Sequence, residues 1–130
     1  MIVVDASIVT LAIAGDDVDG DTARNRLLEE PDLHAPHLVD LEVMSVLRRL
    51  HAAGEIESRR AALALDDLAD LTLVRYPHWP LAPRIWELRP NLSPYDASYV
   101  ALAESLRCAL VTGDRRIARA TGIRCEVEIL

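Results

Sequence analysis

Ile2-Val3-Val4-Asp5-Ala6-Ser7 is a short apolar run closed by an acid and followed by residues that open a helix. A strand that passes straight into a helix is the repeating unit of a parallel sheet. The same pattern recurs outward along the chain. A helix is predicted over 7–14, broken by Gly15-Asp16-Asp17, and a second over 19–30, stopped by Pro31. Residues 33–35 read as a strand, and Pro36-His37 open a long helix to about 53, closed by Gly54. A helix over 56–68 has Ala61, Leu65 and Leu68 on one face, and a strand is predicted over 71–74. Residues 79–88 read as a helix or half-helix between prolines. Ser93 caps a helix over 94–106 with Pro94 at its first position. A strand over 109–112, a helix over 114–120 ending at Gly122, and an edge strand over 124–129 complete the chain. The expected fold class is α/β, a parallel sheet covered by helices.

At 130 residues the chain is expected to form one domain, 1–130. Apolar residues make up 51% and aromatics 4%, with no Phe, so the core is aliphatic. No apolar run approaches the ~18 residues that cross a bilayer. The N-terminus lacks the basic region of a signal peptide, and a cytoplasmic location is the expectation. Cys108 and Cys125 read as two buried thiols. A net charge of −7 argues against loose, charge-driven binding to nucleic acid. It does not exclude a nuclease, because a metal reverses the local effect of clustered acids. All 14 basic residues are arginine, suited to gripping phosphate or carboxylate.

Four acids sit where a charge is costly. Asp5 ends the first strand, and Glu42 faces Leu38, Val39, Ser45 and Val46 on the long helix. Asp96 lies in the first turn after Ser93, and Asp114 follows the strand Ala109-Leu110-Val111-Thr112. A buried carboxylate without a partner costs several kcal/mol, comparable to a domain's whole stability. Taken singly, Asp5, Asp96 and Asp114 also read as helix caps or first-turn acids favoured by the helix dipole, and Glu42 as a partner for an arginine. Taken jointly, the four suit a shared Mg²⁺ or Mn²⁺, cations that prefer oxygen ligands. Such sites activate water and stabilise charge on phosphate. Asp5 and Asp114 both fall at the carboxyl ends of strands, where open parallel sheets carry their sites.

The order of these motifs resembles a known family. Val4-Asp5-Ala6-Ser7 comes first, then Glu42 within Leu41-Glu42-Val43-Met44-Ser45. Next comes Ser93-Pro94-Tyr95-Asp96-Ala97-Ser98-Tyr99, and last Val111-Thr112-Gly113-Asp114-Arg115-Arg116. Over its whole length the chain resembles a PIN-domain ribonuclease, specifically a VapC-type toxin of a bacterial toxin–antitoxin pair. The resemblance implies a central parallel sheet with helices on both sides, a three-layer α/β/α fold. It implies hydrolysis of RNA phosphodiester bonds with Mg²⁺ or Mn²⁺, inhibition by a cognate small antitoxin, and a homodimer. Asp5, Glu42, Asp96 and Asp114 match the family's acidic quartet as catalytic and metal-binding residues, with Asp5 and Asp96 the main ligands. Ser7 and Thr112 match supporting polar positions. Some relatives carry a further acid where this chain has Ile117, so a fifth acid is not expected, and the number of metal ions stays open. The alternatives are a PIN-type nuclease of RNA processing without an antitoxin, and a non-catalytic binding module with the same fold.

Arg115 and Arg116 follow the fourth acid and are candidates for RNA phosphate contacts; a solvated helix face is the plainer reading. Arg48 and Arg49 read as surface residues and Asp40 as a solvated acid. Trp79 and Trp86 lie seven apart, and packing in a core or interface is favoured over base stacking. The four histidines show no zinc-like spacing.

Overall fold

The computed structural model describes residues 1–130. The chain runs β1 (Ile2–Val4), α1 (Ala6–Ala14), α2 (Val18–Glu29), β2 (Leu33–Pro36), α3 (Leu38–Ala52) and α4 (Ser58–Asp70). It continues through β3 (Leu73–Tyr76), a 3₁₀ turn (Trp79–Leu81), α5 (Ala82–Glu87), α6 (Pro94–Leu106), β4 (Ala109–Thr112), α7 (Arg115–Arg119) and β5 (Val127–Ile129). The strands form one sheet in the order β3-β2-β1-β4-β5, and every neighbouring pair is parallel. The expected α/β architecture, a parallel sheet flanked by helices, is therefore the observed one. Parallel strands need long crossovers, and the helices that supply them cover the sheet. Helix α6 packs on β1, β2 and β4, while α1 packs against α2, α3 and α4.

The core is aliphatic, as the composition predicts. Its largest fully buried side chains include Ile8, Leu88, Leu102, Leu110 and Ile117, and Tyr99 is its one aromatic ring. Val3 and Val4 in the middle strand are completely buried. The register pairs Val4 with Val111. Asp5 and Thr112, the next residue on each strand, therefore emerge side by side at the carboxyl edge.

Several boundaries differ from expectation. Helix α4 runs on to Asp70, which moves the following strand from 71–74 to Leu73–Tyr76. The apolar run Leu71-Thr72-Leu73-Val74 looks the same in either register; pairing of Leu73 with Leu33 decides it. The buried face of α4 is Ala64 and Leu68, and Leu65 is exposed. The 79–88 segment splits into the 3₁₀ turn and α5, because Pro80 and Pro83 each remove a backbone donor. The last strand begins only at Val127. Cys108 and Cys125 are free thiols, as expected, but only half-buried. Asp40 is not a solvated acid: it is half-buried in a two-pronged pair with Arg75, whose Nε and Nη2 lie 2.8 Å from its carboxylate.

Candidate active site

The carboxyl edge of the sheet opens into a pocket of about 380 Å³ lined by Asp5, Glu42, Asp96 and Asp114 together with Ser7 and Tyr99. The fold thus brings all four sequence-predicted acids to one place. Arg49 and Arg116 are the two cations on its wall.

Asp5 is the most constrained of the four. It is buried at the N-cap of α1, where Oδ1 accepts from the Ser7 N–H at 3.0 Å and the Ile8 N–H at 3.1 Å. The Ser7 hydroxyl donates to the same oxygen at 2.5 Å, and the Thr112 hydroxyl donates to Oδ2. Each hydroxyl is held in turn from the next loop. The Gly113 N–H donates to Ser7 Oγ at 3.0 Å, and the Asp114 N–H donates to Thr112 Oγ1 at 3.0 Å. Two hydroxyls thus clamp both oxygens of one carboxylate between β1 and β4. A carboxylate offers about four lone-pair sites. Oδ1 accepts three hydrogen bonds and Oδ2 one, so the free acceptor capacity of Asp5 lies on Oδ2. Burial raises the Asp5 pKa, against the lowering effect of its hydrogen bonds. Capping and site membership are not alternatives here, because Asp5 caps α1 through Oδ1 and also lines the pocket.

Glu42 is half-buried on α3. Burial raises its pKa; Asp96 and Asp5 raise it further, while the Tyr99 hydroxyl, which donates to Oε2 at 2.5 Å, lowers it. Asp96 lies in the first turn of α6. Its N–H donates to Ser93 Oγ at 3.1 Å, while its carboxylate takes no hydrogen bond from the protein and stays open to the pocket. Asp114 caps α7, accepting from the Arg116 N–H at 2.8 Å. Its carboxylate is also gripped by the Arg116 guanidinium, with Nη2 at 2.6 Å, which holds its pKa low. Arg115 is exposed and does not line the pocket.

Tyr99 is the residue that the sequence reading missed, and Arg49, exposed as expected, also borders the pocket. Tyr99 is three residues after Asp96, and Arg49 is seven after Glu42. Both spacings put the pair on one helix face, the signal that could have found them.

No three His, Cys, Asp or Glu side chains are drawn together tightly enough to wrap an ion unaided. Two of the four acids have protein partners: Asp114 is taken by Arg116 and Glu42 by Tyr99. The donor set still fits a hard divalent cation of the Mg²⁺ kind. Such ions keep several waters and need only one or two carboxylates, and Asp96 and Asp5, which both line the pocket, have acceptor capacity left.

The PIN domain family model matches residues 2–123. The chain is 44% identical to Ribonuclease VapC9 of Mycobacterium tuberculosis over 130 residues, covering 100% of this chain and 98% of that one. It is 46% identical to Ribonuclease VapC1 of the same organism over 129 residues, covering 98% and 96%. The chain is a PIN domain of the VapC ribonuclease family. Solved structures agree on the fold. The sarcin–ricin loop cleaving toxin VapC20 of M. tuberculosis superposes with a TM-score of 0.71 at 20% identity, covering 95% of this chain and 97% of that one. VapBC2 from Rickettsia felis, bound to a DNA fragment from its promoter, gives 0.70 at 16% identity, covering 98% of each chain. No helix of this VapC-family chain is long and apolar enough to cross a membrane.

Proposed function

We propose that this protein is a metal-dependent endoribonuclease, the toxin of a toxin–antitoxin pair. The observation that carries the reading is the convergence of Asp5, Glu42, Asp96 and Asp114 in one pocket at the carboxyl edge of the sheet. The ribonuclease names of relatives at 44–46% identity support the substrate class. VapBC assemblies among the structural neighbours support an antitoxin partner.

In this reading Asp5 and Asp96 hold Mg²⁺ or Mn²⁺, with Glu42 and Asp114 completing the site directly or through water. When bound, the ion lowers the pKa of a water and stabilises charge on the phosphodiester. The chain's own contribution is orientation. Ser7 and Thr112 fix the Asp5 carboxylate, and Tyr99 fixes Glu42. Preset donors and acceptors need no rearrangement during the reaction. The Arg116 side chain is 85% exposed and rests on Asp114, so RNA phosphate can draw it away at small cost. Arg115 beside it adds a second phosphate contact.

The protein acts as one domain, 1–130, in the cytoplasm, and assembles as a homodimer. Leu41, Met44, Leu63 and Leu65 leave apolar surface on α3 and α4 for a protein partner to cover. The deciding experiment is RNA cleavage by purified protein with Mg²⁺ or Mn²⁺, with EDTA, and by Asp96→Asn. Cleavage only by the metal-loaded native protein is expected; cleavage in EDTA or by Asp96→Asn at the native rate would remove the reading. Suppression of cleavage on co-purification with the product of the adjacent small gene separates a toxin from an RNA-processing nuclease.

A further inference from the structure

Both tryptophans of the chain are strongly exposed: Trp79 by 78% and Trp86 by 65%, with Tyr95 at 64% close by. Of the core or interface position that the sequence favoured for the tryptophans, the core is thereby ruled out. Together with Arg89 and His78 they line an apolar groove of about 510 Å³. Three of the five Trp and Tyr residues in the chain therefore meet in one groove. Leaving that much aromatic surface in water is costly and marks a contact site.

The charge of the groove is opposite to that of the protein. The chain carries −7, yet no carboxylate lines this groove. Its fixed cation is Arg89, whose guanidinium carbon lies 4.7 Å from the centre of the Trp86 ring. Arg89 Nη1 donates to the Trp86 carbonyl at 2.8 Å, which anchors the side chain over its own helix end. It pairs with no carboxylate, so its remaining N–H groups are available to an anion.

The groove adjoins the acidic pocket through two helices. On α6, Tyr95 and Ser98 line the groove, while their neighbours Asp96 and Tyr99 line the pocket. On α3, Leu38 lines the groove and Glu42 the pocket, one turn or about 6 Å apart along the axis. A strand whose phosphate reaches Asp96 would pass its flanking nucleotides over Tyr95 and the tryptophans.

We propose that this groove receives unpaired RNA bases next to the scissile phosphate, stacked on Trp79, Trp86 and Tyr95, with Arg89 on the adjoining phosphate or base. Aromatic rings beside arginine are the usual platform for single strands, because every base has a stacking face. Paired bases are hidden in a duplex, so the substrate class is a single-stranded segment or loop. The inference deepens the ribonuclease reading and rests on it.

Because the only two tryptophans line the groove, intrinsic fluorescence reports on it alone. The test titrates metal-free protein at low salt with an unpaired RNA of about eight nucleotides, the same oligomer with abasic positions, and a duplex. Saturable quenching by the unpaired RNA is expected, with Kd weaker by about tenfold for the other two. In cleavage assays Trp79→Ala and Trp86→Ala should raise KM about tenfold with kcat within about threefold, and Trp86→Phe should recover part of the loss. No quenching, equal quenching by the abasic oligomer, or an unchanged KM in both alanine variants overturns the proposal. So does sedimentation showing a dimer that Trp79→Ala dissociates while KM stays native, since a second copy then fills the groove. Failure of the native protein to cut any RNA with Mg²⁺ or Mn²⁺ removes the ribonuclease reading instead, and the quenching result still decides what the groove binds.

Discussion

The Tyr99 hydroxyl donates to Glu42 Oε2 at 2.5 Å and so ties α6 to α3 across the acidic pocket. Tyr99 is almost fully buried, and its own pKa is raised, first by that burial and then by the Glu42 carboxylate. The hydroxyl therefore stays a donor at any working pH. It holds one acid of the pocket in place while Asp96 and Asp5 repel it.

Tyr99→Phe should remove this restraint without changing the packing. Glu42 is half-exposed and can recruit water, so the expected stability loss is about 1 kcal/mol. Glu42 also loses the hydrogen bond that lowers its pKa. Under the proposed mechanism kcat should fall about tenfold and the acid limb of the rate profile should move to higher pH. A pH–rate profile of the variant measures both; a native profile would separate Tyr99 from the site.

Asp5→Asn and Asp96→Asn distinguish a metal site from simple capping. Asn at position 5 keeps an oxygen for the Ser7 and Ile8 N–H groups, so the cap of α1 survives. Removal of a buried charge should leave the metal-free melting temperature unchanged or higher. Cleavage should fall on the order of a hundredfold or more in each variant. Capping alone predicts near-native cleavage with little loss of stability, because Asn caps a helix about as well as Asp. Melting and cleavage measured on the same two proteins decide the matter.

Metal-free stability should pass through a maximum on acidification. Asp5 and Glu42 have raised pKa values, chiefly from burial. Their contribution is present below the ordinary carboxylate pKa of about 4 and is lost as pH rises through their folded values. Glu104 and Glu128 behave oppositely. Burial raises Glu104, but the Arg84 guanidinium and the Arg124 N–H outweigh it, and its pKa is lowered. The Arg26 guanidinium lowers Glu128. Their contribution is present above their ordinary values and is lost as pH falls through the lowered ones. Stability of the native protein should therefore rise as pH drops through the raised values of Asp5 and Glu42, then fall below the ordinary carboxylate range of about 4. Asp5→Asn should flatten the first part of a chemical-denaturation series, and Glu104→Gln the second.

Gly20→Ala should destabilise the protein although Gly20 lies within a helix. Alanine in place of a helical glycine ordinarily stabilises by about 1 kcal/mol. Here a Cβ at Gly20 would stand 2.4 Å from the Gly15 carbonyl oxygen and 2.9 Å from the Gly15 Cα. Those are backbone atoms that join α1 to α2, and they cannot swing aside. A loss of about 1–3 kcal/mol is expected, with cleavage per folded molecule unchanged. Urea unfolding checks the sign.

Short-range patterning was enough to place most elements. The run Ile2-Val3-Val4 closed by Asp5, the cap Ser93 before Pro94, and the alternation of apolar runs with helical periods each carry local physics that acts in any context. They determined a parallel α/β sheet. The four acids were legible for the same reason, since a carboxylate at a strand end or on an apolar helix face conflicts with its surroundings wherever the chain folds. What local pattern left open was pairing. Leu71 to Val74 could not show which two residues joined β3, because a strand's register is set by the neighbour it bonds. Asp40 looked solvated until β3 brought Arg75 beside it, and the grip of Arg116 on Asp114 exists only in the folded chain. The resemblance implied a supporting role for Thr112, but which carboxylate oxygen its hydroxyl meets, 107 residues away on Asp5, and that Tyr99 meets Glu42, 57 residues away, exist only in the folded chain. Trp79 and Trp86 read as residues of a core or an interface, and only the fold shows that both stand outside the core. Sequence determined which side chains were in conflict with their local surroundings, because that conflict is local. Tertiary structure decided which of them share a pocket and which partner each one takes, because those contacts exist only once distant strands and helices are brought together.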